Sequence, residues 1–222
     1  MNFLRFHSIA ISVVVISGIA TTSFAQKPSK KTNEKVVNAK SESNEAVVTL
    51  AGGCFWCTEA VFERMKGVND VVSGYIGGAM PDPDYKSVCT GTTGHAEAVE
   101  VYYDPSVTSY EAILEVFFKT HDPTTLNRQG ADIGTQYRSA IFYHDEEEKK
   151  VAEAYIAKLN ETKEFGRPVV TTLEPASKFY PAEEYHQDYF RKNPTAGYCQ
   201  AVVRTKVKKF QNIFPEQVKE RE

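Results

Sequence analysis

The stretch Val47-Val48-Thr49-Leu50-Ala51-Gly52-Gly53-Cys54-Phe55-Trp56-Cys57-Thr58 decides how the chain is read. Its first five residues are an apolar run of strand length, and Glu59-Ala60-Val61-Phe62-Glu63-Arg64-Met65 beyond it has helical periodicity. Cys54 therefore falls at a strand-to-helix turn, where two glycines let the backbone bend tightly. Unpaired N–H groups and the positive end of the helix dipole favour a thiolate there. Phe55 and Trp56 follow directly and can wall an apolar pocket. Free cysteines are often buried and inert, but the glycines, the helix start and the adjacent rings together favour a reactive thiol.

Working outward, residues 68–76 are β-branched and read as a second strand. Residues 77–84, rich in Gly, Pro and Asp, must be a loop, and residues 85–93 continue it or hold a short helical turn. Residues 95–103 alternate as a strand. Glu97, Val99, Val101 and Tyr103 then share one face, and if that face is the core, Glu97 is a buried carboxyl with a raised pKa. Thr108-Ser109-Tyr110-Glu111 fits a capping box, ahead of an amphipathic helix with Ile113, Leu114, Phe117 and Phe118 on its apolar side. Residues 121–136 are long and polar. Residues 138–144 read as a strand, 146–160 as a helix capped by Asp145, 169–173 as a strand, 181–192 as a helix, and 199–203 as a last strand. Several connections look like antiparallel returns. The expectation is an α+β fold, a two-layer sandwich with a mixed, largely antiparallel sheet and extended loops, rather than a doubly wound sheet.

The formal charge is −3 across 222 residues with no basic stripe, which argues against nucleic-acid binding. Four cysteines are too few for a disulfide scaffold at this length. Arg5 is the one Lys, Arg, Asp or Glu before Lys27. Residues 9–20 are largely apolar, and Ser23-Phe24-Ala25 is a small-x-small site. This describes a secretory signal peptide over 1–25, cleaved after Ala25, with an apolar core shorter than the ~20 residues a membrane span needs. The mature protein is expected to be periplasmic or secreted, in an oxidising compartment, with no stable membrane insertion. Residues 26–45 read as a disordered linker, 46–214 as the catalytic domain and 215–222 as a polar tail.

Cys57 completes a Cys-x-x-Cys and has four readings. It is a thioredoxin-like redox partner, half a zinc site that lacks a second pair, a thiol that resolves an oxidised Cys54, or a packing residue. Glu97 suits a general acid if buried. Taken singly, Tyr85 and Tyr137 read as ordinary packing residues, Asp132 and His186 as polar residues without an assigned role, and Cys89 as structural. Cys199 follows Gly197-Tyr198, where a flexible segment could carry a thiol to Cys54.

Four motifs, in order, resemble the A-class peptide methionine sulfoxide reductases. They are Gly53-Cys54-Phe55-Trp56, Gly91-Thr92-Thr93-Gly94-His95-Ala96-Glu97, His121-Asp122-Pro123-Thr124-Thr125 and Asp132-Ile133-Gly134-Thr135-Gln136-Tyr137-Arg138-Ser139. The resemblance implies a two-layer α+β fold and a set of roles. Cys54 would be the nucleophile, Phe55 and Trp56 the pocket for the S-methyl group, and Glu97 the acid that protonates the sulfoxide oxygen. Tyr85 and Tyr137 would bond that oxygen, and Asp132 would order the site through water. It further implies reduction of the S epimer through a sulfenic acid on Cys54 and an intramolecular disulfide. A thioredoxin or thioredoxin-like reductant would recycle the enzyme, with no bound cofactor and no metal. Many relatives carry Gly where this chain has Cys57, and the chain lacks the glycine-rich extension with a further cysteine. Cys199 is therefore the preferred resolving thiol over Cys57. The expected substrates are free methionine sulfoxide and oxidised methionines of envelope proteins, handled by a monomer. The rival readings are a thiol–disulfide oxidoreductase using Cys54 and Cys57, and a non-catalytic binder of oxidised or methionine-rich peptides.

Overall fold

A computed structural model describes residues 45–220. The expected signal peptide, and the expected linker but for its last residue, lie outside the described residues.

The apolar run becomes β1 (Ala46–Gly52), which leads through Gly53 into α1 (Phe55–Phe62). β2 (Val68–Ile76), α2 (Tyr85–Val88), β3 (Ala96–Tyr103) and α3 (Tyr110–Thr120) follow. The long polar stretch holds a small hairpin, β4 (Arg128–Gln129) and β5 (Asp132–Ile133). Then come β6 (Ser139–Tyr143), α4 (Glu146–Glu161), β7 (Thr172–Pro175), β8 (Tyr180–Pro181), α5 (Tyr189–Lys192) and α6 (Arg204–Ile213). The main sheet has the order β7-β6-β1-β3-β2-β8. Every pairing in it is antiparallel except β6 with β7, which are joined by α4 as a crossover. This is the expected α+β sandwich with a mixed sheet.

The period-two alternation sorts the sheet faces. Val48, Leu50, Val99, Val101 and Ile141 form one core with residues of α1, α3, α4 and α6. The opposite face is lined mainly by small residues, Ala51, Ala96, Ala98 and Ala140 with Ile76 and Phe142, and is covered by Ala176 and Phe179. Glu97 lies on the helical face at 1% exposure, as its parity predicts.

Four expectations are corrected. Ser109, not Thr108, caps α3, its hydroxyl accepting from Ala112 N–H at 3.2 Å. Residues 181–192 are not one helix but a 3-10 turn (Glu184–His186), a left-handed Asp188 at φ 56° and the short α5. Tertiary hydrogen bonds displace the helical ladder there. The Gln187 amide bonds both the N–H and the C=O of Ser73, and Glu59 takes the Asp188 and Tyr189 N–H groups. Residues 199–203 are a π-helical turn continuous with α6, because buried Cys199, Val203, Val207 and Phe210 recur at helical spacing. Residues 215–219 are no free tail. Lys66 N–H donates to Gln217 C=O at 2.7 Å, and Val218 bridges Met65.

Candidate active site

The site is built where β1 hands over to α1. Gly53 has φ +89°, and a Cβ there would sit 2.5 Å from the Gln129 side chain. Gln129 is itself held by Asp122, accepting its N–H at 3.0 Å and donating to its C=O at 3.1 Å. Cys54 occupies the N-cap of α1 and makes no side-chain capping bond. The cap comes from another strand, as Glu97 of β3 accepts the Phe55 N–H at 3.1 Å. Burial pushes the Glu97 carboxyl up to about 8, with the Phe55 N–H opposing and the charges of Asp132 and Cys57 adding. At neutral pH it is a carboxylic acid able to donate a proton.

Cys57 stands one turn into the helix, hydrogen-bonded to Cys54. Burial pushes the Cys54 thiol well up, while the bond from Cys54 pulls Cys57 down to about 7. The two thiols titrate as a coupled pair, and the charge the pair carries is shared between them. The helix start favours a thiolate at Cys54 and burial opposes it. The Tyr198 hydroxyl lies 3.9 Å from Cys57 Sγ and donates to Asp132 Oδ2 at 2.6 Å. Burial raises the Tyr85, Tyr137 and Tyr198 phenols, so all three remain proton donors. Ionisation of Glu97 would raise both Tyr85 and Tyr137 further, which places the two phenols near this carboxyl. Tyr137 closes a 3-10 turn (Thr135–Tyr137) whose next residue, Arg138, forks onto Glu174 at 3.2 Å for both bonds.

Trp56 is stacked on Tyr189 at 3.7 Å and 9°, faces the edge of Tyr198, and donates its indole N–H to His186 Nδ1 at 3.1 Å. The Phe55 ring contacts Tyr75, Tyr85 and His186. Cys54, Glu97, Tyr85, Tyr137, Asp132, Phe55 and Trp56, all singled out in the sequence, thus converge. Cys199 does not lie on a flexible arm. It is fully buried in the π-helical turn, with its thiol raised by burial. The motif histidines are structural. His95 joins Gly78 N–H to Met80 C=O, and His121 joins Phe117 C=O to the Ser139 hydroxyl. Among the described residues, no group of three or more His, Cys, Asp or Glu could hold a metal ion.

Sequence reasoning missed Tyr198, Glu183 and the setting of His186. Glu183 accepts Tyr85 N–H and Tyr75 O–H, each at 2.9 Å. A signal existed in the three-residue spacing of Glu183 and His186, and in the Tyr beside Cys199, but nothing local ties them to Cys54.

The family model described as peptide methionine sulfoxide reductase matches residues 46–218. Peptide methionine sulfoxide reductase MsrA 1 of Rhodopirellula baltica is 63% identical over 84% of this chain and 96% of its own length. Peptide methionine sulfoxide reductase MsrA of Deinococcus radiodurans is 52% identical over 86% and 91%. The crystal structure of Mxr1 from Saccharomyces cerevisiae in reduced form superposes with a TM-score of 0.62 at 38% identity, covering 72% of this chain and 91% of that one. With this match over nearly all the described residues, and with Cys54, Phe55, Trp56 and Glu97 gathered at one helix start, the chain belongs to the A-class peptide methionine sulfoxide reductase family, whose reaction is that of a peptide-methionine (S)-S-oxide reductase.

Proposed function

We propose that the chain reduces the S epimer of methionine sulfoxide, free or in proteins, through a Cys54 sulfenic acid that Cys57 then resolves. The carrying observation is the buried acid Glu97, bonded to the helix N-terminus beside Cys54. Sulfoxide oxygen is a poor leaving group until protonated, and a neutral carboxylic acid supplies that proton. Phe55 and Trp56 hold the S-methyl group. Tyr85 and Tyr137 donate to the oxygen, and Asp132 with Tyr198 orders the sulfur side. As Cys54 attacks the substrate sulfur as a thiolate, the one proton of the thiol pair is left on Cys57 and the Glu97 proton goes to oxygen. Oxygen ends on Cys54 as a sulfenic acid, and the sulfide, methionine, leaves. Cys57 Sγ then attacks Cys54 Sγ, and its proton and the sulfenic hydroxyl leave as water. A dithiol reductant of thioredoxin type supplies two electrons and two protons to reopen the disulfide.

Two observations favour Cys57 over Cys199 as the resolving thiol. Cys57 already adjoins Cys54 one helical turn on and is drawn down to about 7, below the ordinary thiol value, which raises its thiolate fraction near neutral pH. Cys199 would have to leave a packed helix. The signal-like N-terminus supports export, and with it repair of envelope proteins by a monomer using a thioredoxin-like partner of that compartment.

The test is turnover of the two separated epimers, with mass mapping of the disulfide formed by one equivalent of sulfoxide. Wild type, Cys54→Ser, Cys57→Ser and Cys199→Ser are compared under dithiothreitol and under thioredoxin. S-epimer turnover abolished by Cys54→Ser, with a Cys54–Cys57 disulfide and thioredoxin turnover lost in Cys57→Ser alone of the other two, is the expected result. A Cys54–Cys199 bond would restore the earlier preference for Cys199. Absence of S-epimer turnover in the folded wild type would overturn the reading.

A further inference from the structure

Trp56 has four ring neighbours, Phe55, His186, Tyr189 and Tyr198, and one directional contact. Stacking on Tyr189 and the edge of Tyr198 fix the tilt of the indole, but a stack tolerates sliding and in-plane rotation. The hydrogen bond to His186 Nδ1 fixes the rotation. Because Nδ1 accepts, His186 carries its proton on Nε2. The ring is 1% exposed, and its Nε2 has no hydrogen-bond partner. The acceptor beside it is Glu183 Oε2, at 4.0 Å. That carboxyl is already committed to Tyr75 O–H, while its other oxygen takes the Tyr85 backbone N–H. The groups facing the imidazole are therefore Glu183, Tyr85 and Tyr185, with Phe55 and Trp56.

One short turn thus holds both sides of the site. Glu183 grips the N-terminus of α2, which carries Tyr85, and His186 grips the indole. The turn itself is fixed to β2 by Gln187, which bonds both main-chain groups of Ser73, and by Ala182 N–H donating to Ser73 C=O. We propose that Glu183 and His186 are positioning residues that set the spacing between the oxygen-binding phenol and the methyl-binding wall, and so select S-methyl over bulkier S-alkyl sulfoxides. This rests on the reading of Tyr85 and Trp56 given under the proposed function.

Trp56 is the single tryptophan of the chain, so its emission reports on the indole without any substrate. The variants are His186→Leu, which removes the acceptor, His186→Asn, which returns an acceptor close to Nδ1, and Glu183→Gln. Each is measured for emission maximum and anisotropy in the absence of substrate. Each is then assayed under dithiothreitol for kcat and KM on methionine sulfoxide and on its S-ethyl homologue. In His186→Leu the emission shifts and anisotropy falls, KM for the methyl substrate rises about tenfold with a smaller change in kcat, and the methyl-over-ethyl preference drops several-fold, as expected for a displaced apolar wall. His186→Asn recovers most of each change. Glu183→Gln raises KM without moving the emission. Unchanged emission and unchanged selectivity in folded His186→Leu overturn the proposal. If His186→Leu does not fold, wild-type behaviour of Glu183→Gln overturns it. A Trp56→Phe enzyme with unaltered methyl preference would instead defeat the pocket reading, while the substrate-free emission still decides whether His186 fixes the indole.

Discussion

Glu97 is the residue on which both fold and chemistry turn. Its place on β3 aims it into the helical core, where burial keeps it protonated, and its bond to the Phe55 N–H aims it at the Cys54 turn. The single-turnover reduction of sulfoxide, followed without the recycling step, is therefore expected to fall as pH rises through about 8, when the carboxyl loses its proton. Glu97→Gln keeps the size and the Phe55 contact but has no proton to give, so its rate should drop by about 10²–10⁴ and lose this limb of the profile. Stopped-flow Trp56 emission over pH 6–9.5 checks both; a Gln enzyme as fast as wild type removes Glu97 from the acid role. The parity of an alternating strand made this residue legible in the sequence, because strand period needs no knowledge of the partner strand. Tyr198 was not legible. It meets Cys57 and Asp132 only through the packing of α6 onto α1, and no local pattern encodes that.

At the scale of elements, legibility followed how far each segment relies on itself. β1, β2, β3 and α4 form as read, since their own periodicity and caps specify them; Asp145 bonds the N–H groups of Glu147 and Glu148 as an N-cap should. The stretch 181–192 does not, because its order comes from Gln187, Glu59 and Ser73. Gln187 makes three main-chain bonds with its amide, two to Ser73 and one to Ala182. Gln187→Leu leaves the buried Ser73 N–H without a partner, while Ser73 C=O keeps the Ala182 N–H, and the loss is about 1–3 kcal/mol. Urea unfolding should show that loss in the midpoint. Because this segment carries Glu183, His186 and Tyr189, KM should rise as well. A variant of native stability and KM would mean the segment orders itself.

Across the whole molecule, two buried carboxyls outside any ion pair shape how stability responds to pH. Glu97 is raised to about 8 and Glu59 to about 7, in both cases chiefly by burial. Unfolded, each titrates near ~4.3. Between that value and the folded one, the native state holds a proton that the unfolded chain has released, so stability falls as pH rises across the interval and levels off above it. For Glu97 this is roughly 2–3 kcal/mol between about pH 6 and 9. His121 acts in the opposite sense, since it is buried neutral with its value pulled down to about 3, while unfolded it titrates near ~6.5. Its contribution is complete above that pH and is lost as pH falls. The two trends offset each other in mild acid, and the carboxyls stand uncompensated by His121 on the alkaline side. Glu97→Gln resembles the protonated acid in shape and cannot ionise. Relative to wild type, its Tm should therefore gain roughly 5–10 °C on moving from pH 6 to pH 9. Glu59→Gln should gain less, because the Glu59 value is lower and its Ser73, Asp188 and Tyr189 donors favour the charged form. Calorimetry of the three proteins at both pH values tests this, and a Glu97→Gln to wild-type difference in Tm that does not move with pH would mean that the folded carboxyl is already ionised at pH 6.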